Sequence, residues 1–275
     1  MLIGLNGAST MHASLETDIQ VAGQAGYDLI EIWGAKLERY LATHTPADLA
    51  ALLRQNKVAP YSINSIEHIN LRTANDYAGI KQACRRLSSI AQAIGCPHIV
   101  VVPRPLPAGV SKQHVHDDAV TVLRELAEIA APFGVRLAFE MLGQTACSVS
   151  TLGDAWKIVS AAGRDDVGLV LDTFHFYAGG STLSSIMEID PAKLFIFHIN
   201  DAEAGERATL TDAQRLLPGD GVIPLADICR GLRNCGYKHM VSIELFRPEY
   251  WEWDALRLAR EAKDKTERVI DSVWH

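Results

Sequence analysis

Three carboxylates and one imidazole stand at the ends of apolar runs of strand length in the second half of the chain. Leu-Ala-Phe runs into Glu140, Gly-Leu-Val-Leu into Asp172, Phe-Ile-Phe into His198 and Val-Ser-Ile into Glu244. Side chains alternate between faces along a strand, so Ala138 and Glu140 share a face opposite Leu137 and Phe139. Val170 with Asp172, Ile196 with His198, and Ser242 with Glu244 repeat that arrangement. In a barrel, four consecutive strands would each turn one ionisable group inward at the C-terminal end. Clustered carboxylates repel one another and resist desolvation unless a cation compensates. The expectation is one divalent ion held by Glu140, Asp172, His198 and Glu244. Oxygen and imidazole donors suit Zn²⁺ or Mn²⁺, with Mg²⁺ or Co²⁺ as alternatives and Ca²⁺ less suited. A carboxylate beside a cation-polarised hydroxyketone can remove the C–H proton between the two oxygens, and the enediol can be reprotonated elsewhere. The outcome is isomerisation or epimerisation. Metal-assisted hydrolysis uses similar ligands, so donor types alone do not choose the reaction.

Other polar groups sit close to these strand ends. His175, three residues after Asp172, could orient substrate or a ligand, or bond to loop backbone. Asp201, three after His198, is a candidate acceptor behind the metal ligands or a turn cap. Trp33 and Glu31 face inward at the end of the second strand. Trp33 could floor a sugar pocket, whereas Glu31 reads as a buried, satisfied carboxylate. Asn64 offers a hydroxyl-binding amide, and His68 and Arg104 belong to the pocket rim. The histidines at 12, 44, 98, 114, 116, 239 and 275 show no partner pattern and read as ordinary.

Eight strand-length runs must position these groups: Leu2 to Leu5, Leu29 to Trp33, Ala59 to Ile63, His98 to Val102, Arg136 to Glu140, Leu169 to Asp172, Phe195 to Ile199 and Val241 to Leu245. Between them, apolar residues recur at spacings of three and four. Tyr77, Ile80, Cys84, Leu87, Ala91 and Ile94 form one helical stripe, and Ala119, Leu123, Leu126, Ala130 and Phe133 another. Gly26, Gly95, Gly134 and Gly236 each close a helical stretch just before a strand, as a left-handed cap requires. This alternation predicts an α/β fold, a single (β/α)₈ TIM barrel over residues 1–275 with its active site at the C-terminal ends of the strands. A doubly wound sheet is the runner-up, but Asn-Gly-Ala-Ser-Thr follows the first strand where a dinucleotide fingerprint would stand. The long connection from Asp201 to Pro224 predicts part of a mouth or lid.

Composition narrows the partners. A net charge of -7 disfavours nucleic acid. Five scattered cysteines without a Cys-x-x-Cys pair argue against a disulfide framework or zinc ribbon. The N-terminus reaches Asn6 too soon for a signal peptide, and no run approaches membrane-spanning length, so a soluble cytoplasmic protein is expected. Trp251 and Trp253 are either core or an interface patch of a homo-oligomer.

Leu-Ala-Phe-Glu140, Gly-Leu-Val-Leu-Asp172-Thr-Phe-His175, Phe-His198-Ile-Asn-Asp201 and Ser-Ile-Glu244-Leu-Phe-Arg247-Pro-Glu-Tyr resemble the xylose-isomerase-like TIM barrel superfamily. It includes sugar isomerases, ketose 3-epimerases and endonuclease IV. Within it, Asp-Ala-Gln-Arg215-Leu-Leu-Pro-Gly-Asp-Gly and Glu-Leu-Phe-Arg247-Pro-Glu-Tyr are similar to segments of the inosose isomerase family of inositol catabolism. The resemblance spans nearly the whole chain. It implies that Glu140 and Glu244 act as the acid/base pair while also binding metal. It also implies that His175, Arg215 and Arg247 contact a cyclic inosose, or another sugar, lying over Trp33. A 3-epimerase, a hydroxypyruvate isomerase and a non-catalytic sugar-binding barrel are the alternatives. A trinuclear nuclease site would need further histidines where Val102-Pro103-Arg104 and Arg215-Leu216-Leu217 stand.

Overall fold

Helix closure recurs through the chain and sets where its strands begin. The computed structural model describes residues 1–274, and His275 lies outside the described residues. Gly26, Gly95, Gly134 and Gly236 have φ of 75°, 74°, 70° and 96°, and Gly163 repeats the device at 65°. A residue with a Cβ is strained at such angles, which explains why glycine recurs where each chain segment turns back to the sheet.

The strands so launched are β1 (Leu2–Asn6), β2 (Leu29–Trp33), β3 (Ala59–Ile66), β4 (His98–Val101), β5 (Arg136–Glu140), β6 (Val167–Asp172) and β7 (Leu194–Ile199). A short antiparallel pair follows, β8 (Asp201–Ala202) and β9 (Arg215–Leu216), and then β10 (Met240–Ile243). The eight long strands close in the parallel order β1-β10-β7-β6-β5-β4-β3-β2, with a helix or helices in each connection. This is the expected (β/α)₈ barrel, and closure excludes the open doubly wound sheet. The register sets Asp172 beside His198 and His198 beside Ser242, so the expected inward row forms one ring at the C-terminal mouth.

Two cores result from the alternation. Leu137, Phe139, Leu169, Leu171, Phe197 and Ile199 meet the helices, whereas Val100, Ala138, Val170, Phe195, Ile196 and Met240 fill the barrel. The stripe on α4 (Ala74–Ile94) buries Cys84, Leu87, Ala91 and Ile94, and that on α5 (Lys112–Ala130) buries Ala119, Leu123, Leu126 and Ala130. At the barrel's other end, His98 lies between the rings of Tyr61 and Phe195, at centroid distances of 4.7 and 5.2 Å. Burial, aided by the Arg136 charge, holds its imidazole down at about 3. His98 is thus a neutral core plug, as its lack of a partner pattern implied.

The first connection is pinned by charge rather than apolar packing. Lys36 is fully buried and donates to Asp18 Oδ2 at 2.7 Å and to the Thr10 carbonyl at 2.7 Å, while Thr10 Oγ1 donates to Asp18 Oδ1 at 2.6 Å. Ser9 Oγ donates to the Ile243 carbonyl and accepts from Leu245 N, each at 3.0 Å, stitching this loop to the segment that carries Glu244. Burial raises Asp18 to about 6, outweighing the opposing effects of Lys36 and Thr10.

Lys36→Met leaves Asp18 buried without its counter-charge, so stability should fall by about 3–5 kcal/mol. The folded state of Asp18 binds its proton more tightly than the unfolded state does, a preference that grows when Lys36 is removed. The deficit is therefore full above the folded pKa and shrinks as pH falls through it. Urea unfolding of both proteins at about pH 5 and about pH 8 should show the smaller difference at the lower pH.

Candidate active site

His198 is the point on which the mouth of the barrel converges. Its Nδ1 lies 3.1 Å from Glu140 Oε1, 3.4 Å from Glu244 Oε2 and 4.0 Å from Asp172 Oδ2. One donor atom from each of these four residues lies within 4.8 Å of the others, and all four residues are buried. Metal–ligand bonds of about 2.0–2.2 Å place opposite donors roughly 4 Å apart, so the spacing already approximates a coordination shell. Three carboxylates crowding one imidazole nitrogen also need positive charge among them. The residues present fit a divalent ion.

Three of these side chains, Glu244, Asp172 and His198, are gripped from behind. Glu244 Oε1 accepts from Asn6 Nδ2 and Asn64 Nδ2, both at 2.9 Å, and its Oε2 accepts from Arg215 Nη1 at 3.1 Å. Asp172 ends β6 and caps the short helix α7 (Thr173–Ala178), its Oδ1 accepting from His175 N at 2.8 Å. Its Oδ2 accepts from Asn200 Nδ2 at 2.7 Å and Arg215 Nη1 at 2.8 Å. This cap holds the backbone of His175 at the mouth. His198 Nε2 meets Glu31 Oε1 at 2.9 Å, and Ser62 Oγ donates to Glu31 Oε2 at 2.6 Å. Strands β1, β2 and β3 supply none of the four candidate ligands, yet they position two of them.

Arg215 arrives from β9 and is fully buried between the rings of Phe174 and Phe246. Besides Asp172 and Glu244, its guanidinium reaches Asp212 Oδ1 at 2.8 Å and His175 Nε2 at 3.1 Å. An arginine can only donate, so His175 Nε2 accepts and Nδ1 carries the ring proton. That Nδ1 is buried and has no hydrogen-bond partner among the described residues.

The electrostatics differ between the two glutamates. Burial pushes Glu140 up to about 8; His198 opposes the rise, and Glu244 reinforces it. Burial also raises Glu244, but His198 and Arg215 outweigh it and hold that carboxyl below its ordinary range. Burial lowers His198, yet Glu244, Glu31 and Glu140 together carry it well above the usual imidazole value.

A cavity of about 190 Å³ opens onto Glu140 and Glu244, with Asn64, His68, Gln144, His175, Asp212 and Phe246 in its wall. A larger surface cleft of about 390 Å³ near Lys112, Cys147 and Lys157 holds none of the clustered ligands. Gln144 Nε2 donates to Asp212 Oδ2 at 2.7 Å, joining the loop after β5 to the long loop after β7.

Several expected contacts stand elsewhere. Asp201 does not back the ligands; its carboxylate accepts from Ala202 N, Gly219 N and Ile223 N and folds the long loop. Gly221 makes that fold feasible, since a Cβ there would lie 2.6 Å from Asp201 Oδ1. Asn200, one residue earlier, backs Asp172 instead. Trp33 is half-buried with its ring edge on Phe246 at 5.5 Å, one ring behind the cavity wall. Asn64 lines the cavity, but its amide N–H is directed to Glu244. Arg247 is drawn away by Glu203 and Glu249, at 2.6 and 3.0 Å. Arg215 has each of its nitrogens bonded to protein atoms, so it reinforces the ligands rather than offering a free donor to substrate. Asn6, Asn200, Gln144 and Asp212 were not singled out in the sequence. Extending the inward alternation by one residue along β1 would have found Asn6; loop residues such as Gln144 and Asp212 carry no periodic signal.

Residues 19–269 match the family model described as xylose isomerase-like TIM barrel. The chain is 37% identical to an inosose isomerase of Bacillus velezensis over 276 residues, covering 100% of this chain and 99% of that one. It is 38% identical to an inosose isomerase of Halalkalibacterium halodurans over 272 residues, covering 98% and 96%. A crystal structure of an IOLI protein with a binding zinc atom superposes with a TM-score of 0.97 at 35% identity, covering 99% of each chain.

The electrostatics set a sign for metal uptake. Near pH 7 the metal-free site keeps a proton on His198 and, largely, one on Glu140, and a bound cation must displace both. Zinc binding should therefore release about one to two protons and tighten as pH rises toward about 8. Titration calorimetry in buffers of different ionisation enthalpy measures that count, and a buffer-independent heat would contradict it.

Proposed function

This chain belongs to the xylose isomerase-like TIM barrel family, and from that premise we propose that it is an inosose isomerase. It would act on 2-keto-myo-inositol with residues 1–275 as one catalytic domain. The observation that carries the choice of substrate is the charge of the cavity wall. Glu67, Glu140, Asp212 and Glu244 line it with His68, His175 and Gln144, and among the described residues no lysine or arginine does. Arg215 stands behind the wall with its nitrogens engaged. A carboxylate such as that of hydroxypyruvate, or a sugar phosphate, would meet no counter-ion from these side chains. A neutral polyol ketone meets acceptors for its hydroxyls and a buried imidazole N–H.

Glu140, Asp172, His198 and Glu244 would hold the metal. When bound, the ion supplies Lewis acidity that lowers the pKa of the C–H between ketone and hydroxyl. Glu140 and Glu244 enter from opposite sides of the mouth, on β5 and after β10, so each can meet a different ring carbon. One removes the C–H proton and the other delivers a proton to the neighbouring carbon, while the hydroxyl proton passes to the former ketone oxygen, so the keto position moves along the ring with no net change in protons. His175 Nδ1–H, which has no partner among the described residues, is suited to donate to the oxygen that gains charge. The clamp on Glu244 Oε1 by Asn6 and Asn64 keeps Oε2 directed at the centre.

With Zn²⁺ or Mn²⁺ supplied, the enzyme should wash solvent deuterium into 2-keto-myo-inositol. Glu140→Gln or Glu244→Gln should slow the exchange by about 10²–10⁴-fold. NMR in D₂O over a panel of the inosose, fructose, tagatose and hydroxypyruvate decides the substrate. Exchange confined to fructose and tagatose would make it a ketose 3-epimerase, and exchange confined to hydroxypyruvate would overturn the argument from wall charge.

A further inference from the structure

Glu31 lies outside the cavity wall and is fully buried, so it meets neither solvent nor substrate. Its neighbours are directional. Ser62 Oγ donates to Oε2 at 2.6 Å, Asn6 Nδ2 approaches Oε1 at 3.5 Å, and His198 Nε2 is 2.9 Å from Oε1. Both oxygens are thus surrounded by donors, and the imidazole nitrogen facing them must carry its proton. A neutral imidazole has one N–H and one lone pair, so the lone pair is left on Nδ1. Nδ1 is the atom that faces Glu140, Glu244 and Asp172.

We infer that Glu31 is a positioning residue that fixes the tautomer and ring orientation of His198, making Nδ1 the metal-binding nitrogen. The inference rests on the metal-site reading above and is independent of which sugar is the substrate. Glu31 comes from β2, across the barrel from β7, and a carboxylate hydrogen-bonded to the outer N–H of a metal-bound histidine also raises that histidine's basicity. Ser62, at the matching register position on β3, holds the second oxygen of Glu31 so that the first stays aimed at His198.

The test measures zinc, not turnover. Chelator competition should show Glu31→Gln binding zinc about 10–100-fold more weakly than wild type. Ser62→Ala should weaken binding by about threefold or more, in line with one lost hydrogen bond, and serves as the milder variant if Glu31→Gln fails to fold. Asp166→Asn, which weakens the Arg164–Asp166 pair at the opposite end of β6 from Asp172, should leave zinc affinity unchanged. In ¹⁵N-histidine-labelled, zinc-loaded wild type, NMR should place the metal on His198 Nδ1 and a slowly exchanging proton on Nε2. Zinc on Nε2, or folded Glu31 and Ser62 variants with wild-type affinity, would overturn the inference. Absence of zinc binding by wild type would instead sink the metal site itself.

Discussion

Crowding of three carboxylates around one imidazole nitrogen is the constraint on which the rest of the mouth depends. Glu140, Asp172 and Glu244 lie within 4.0 Å of His198 Nδ1 in a buried setting, where unscreened repulsion would be large. Such a cluster survives only with positive charge inside it and fixed donors around it. Arg215 and the His198 proton supply part of that charge, and the donor geometry admits a divalent ion for the remainder. The cost of assembling the cluster is met by the barrel as a whole, whose strands are buried on both faces and cannot splay to relieve it.

The barrel divides the labour by strand. Strands β5, β6, β7 and the end of β10 present the four candidate ligands, while β1, β2 and β3 provide Asn6, Glu31, Ser62 and Asn64, which hold two of them from across the interior. The two glutamates consequently differ. Glu244 is clamped by two amides and a guanidinium, whereas among the described residues Glu140 has only the imidazole as its side-chain hydrogen-bond partner. The less encumbered carboxylate is the better placed to carry a proton, and the clamped one the better placed to stay aimed.

The long loop after β7 does more than cover the mouth. Its three backbone N–H groups converge on Asp201, which folds it so that β9 inserts Arg215 beneath Asp172 and Glu244. Expecting Asp201 behind the ligands failed because the chain leaves the barrel at Ile199: beyond the last paired residue, strand alternation no longer says where a side chain points. Asn200 takes that place. The aromatic floor expected of Trp33 lies one ring back, since Phe246, which follows the nearby strand β10, lines the cavity in its place.

The eight strands, the helices between them and the four inward ionisable groups are legible in the chain alone. Strand alternation, helical spacing and glycine caps are local rules of backbone geometry that any segment obeys wherever it ends up. Which groups meet is set by the closed barrel and the paths of its loops. That Asn6 and Asn64 share one oxygen of Glu244, or that Arg215 from a loop neutralises two ligands, depends on closure of the barrel between β1 and β10 and on loop paths with no periodic signature. Contacts spanning 167 residues between Glu31 and His198, or 238 between Asn6 and Glu244, leave no trace in local spacing, because what joins them is the curvature of the closed sheet.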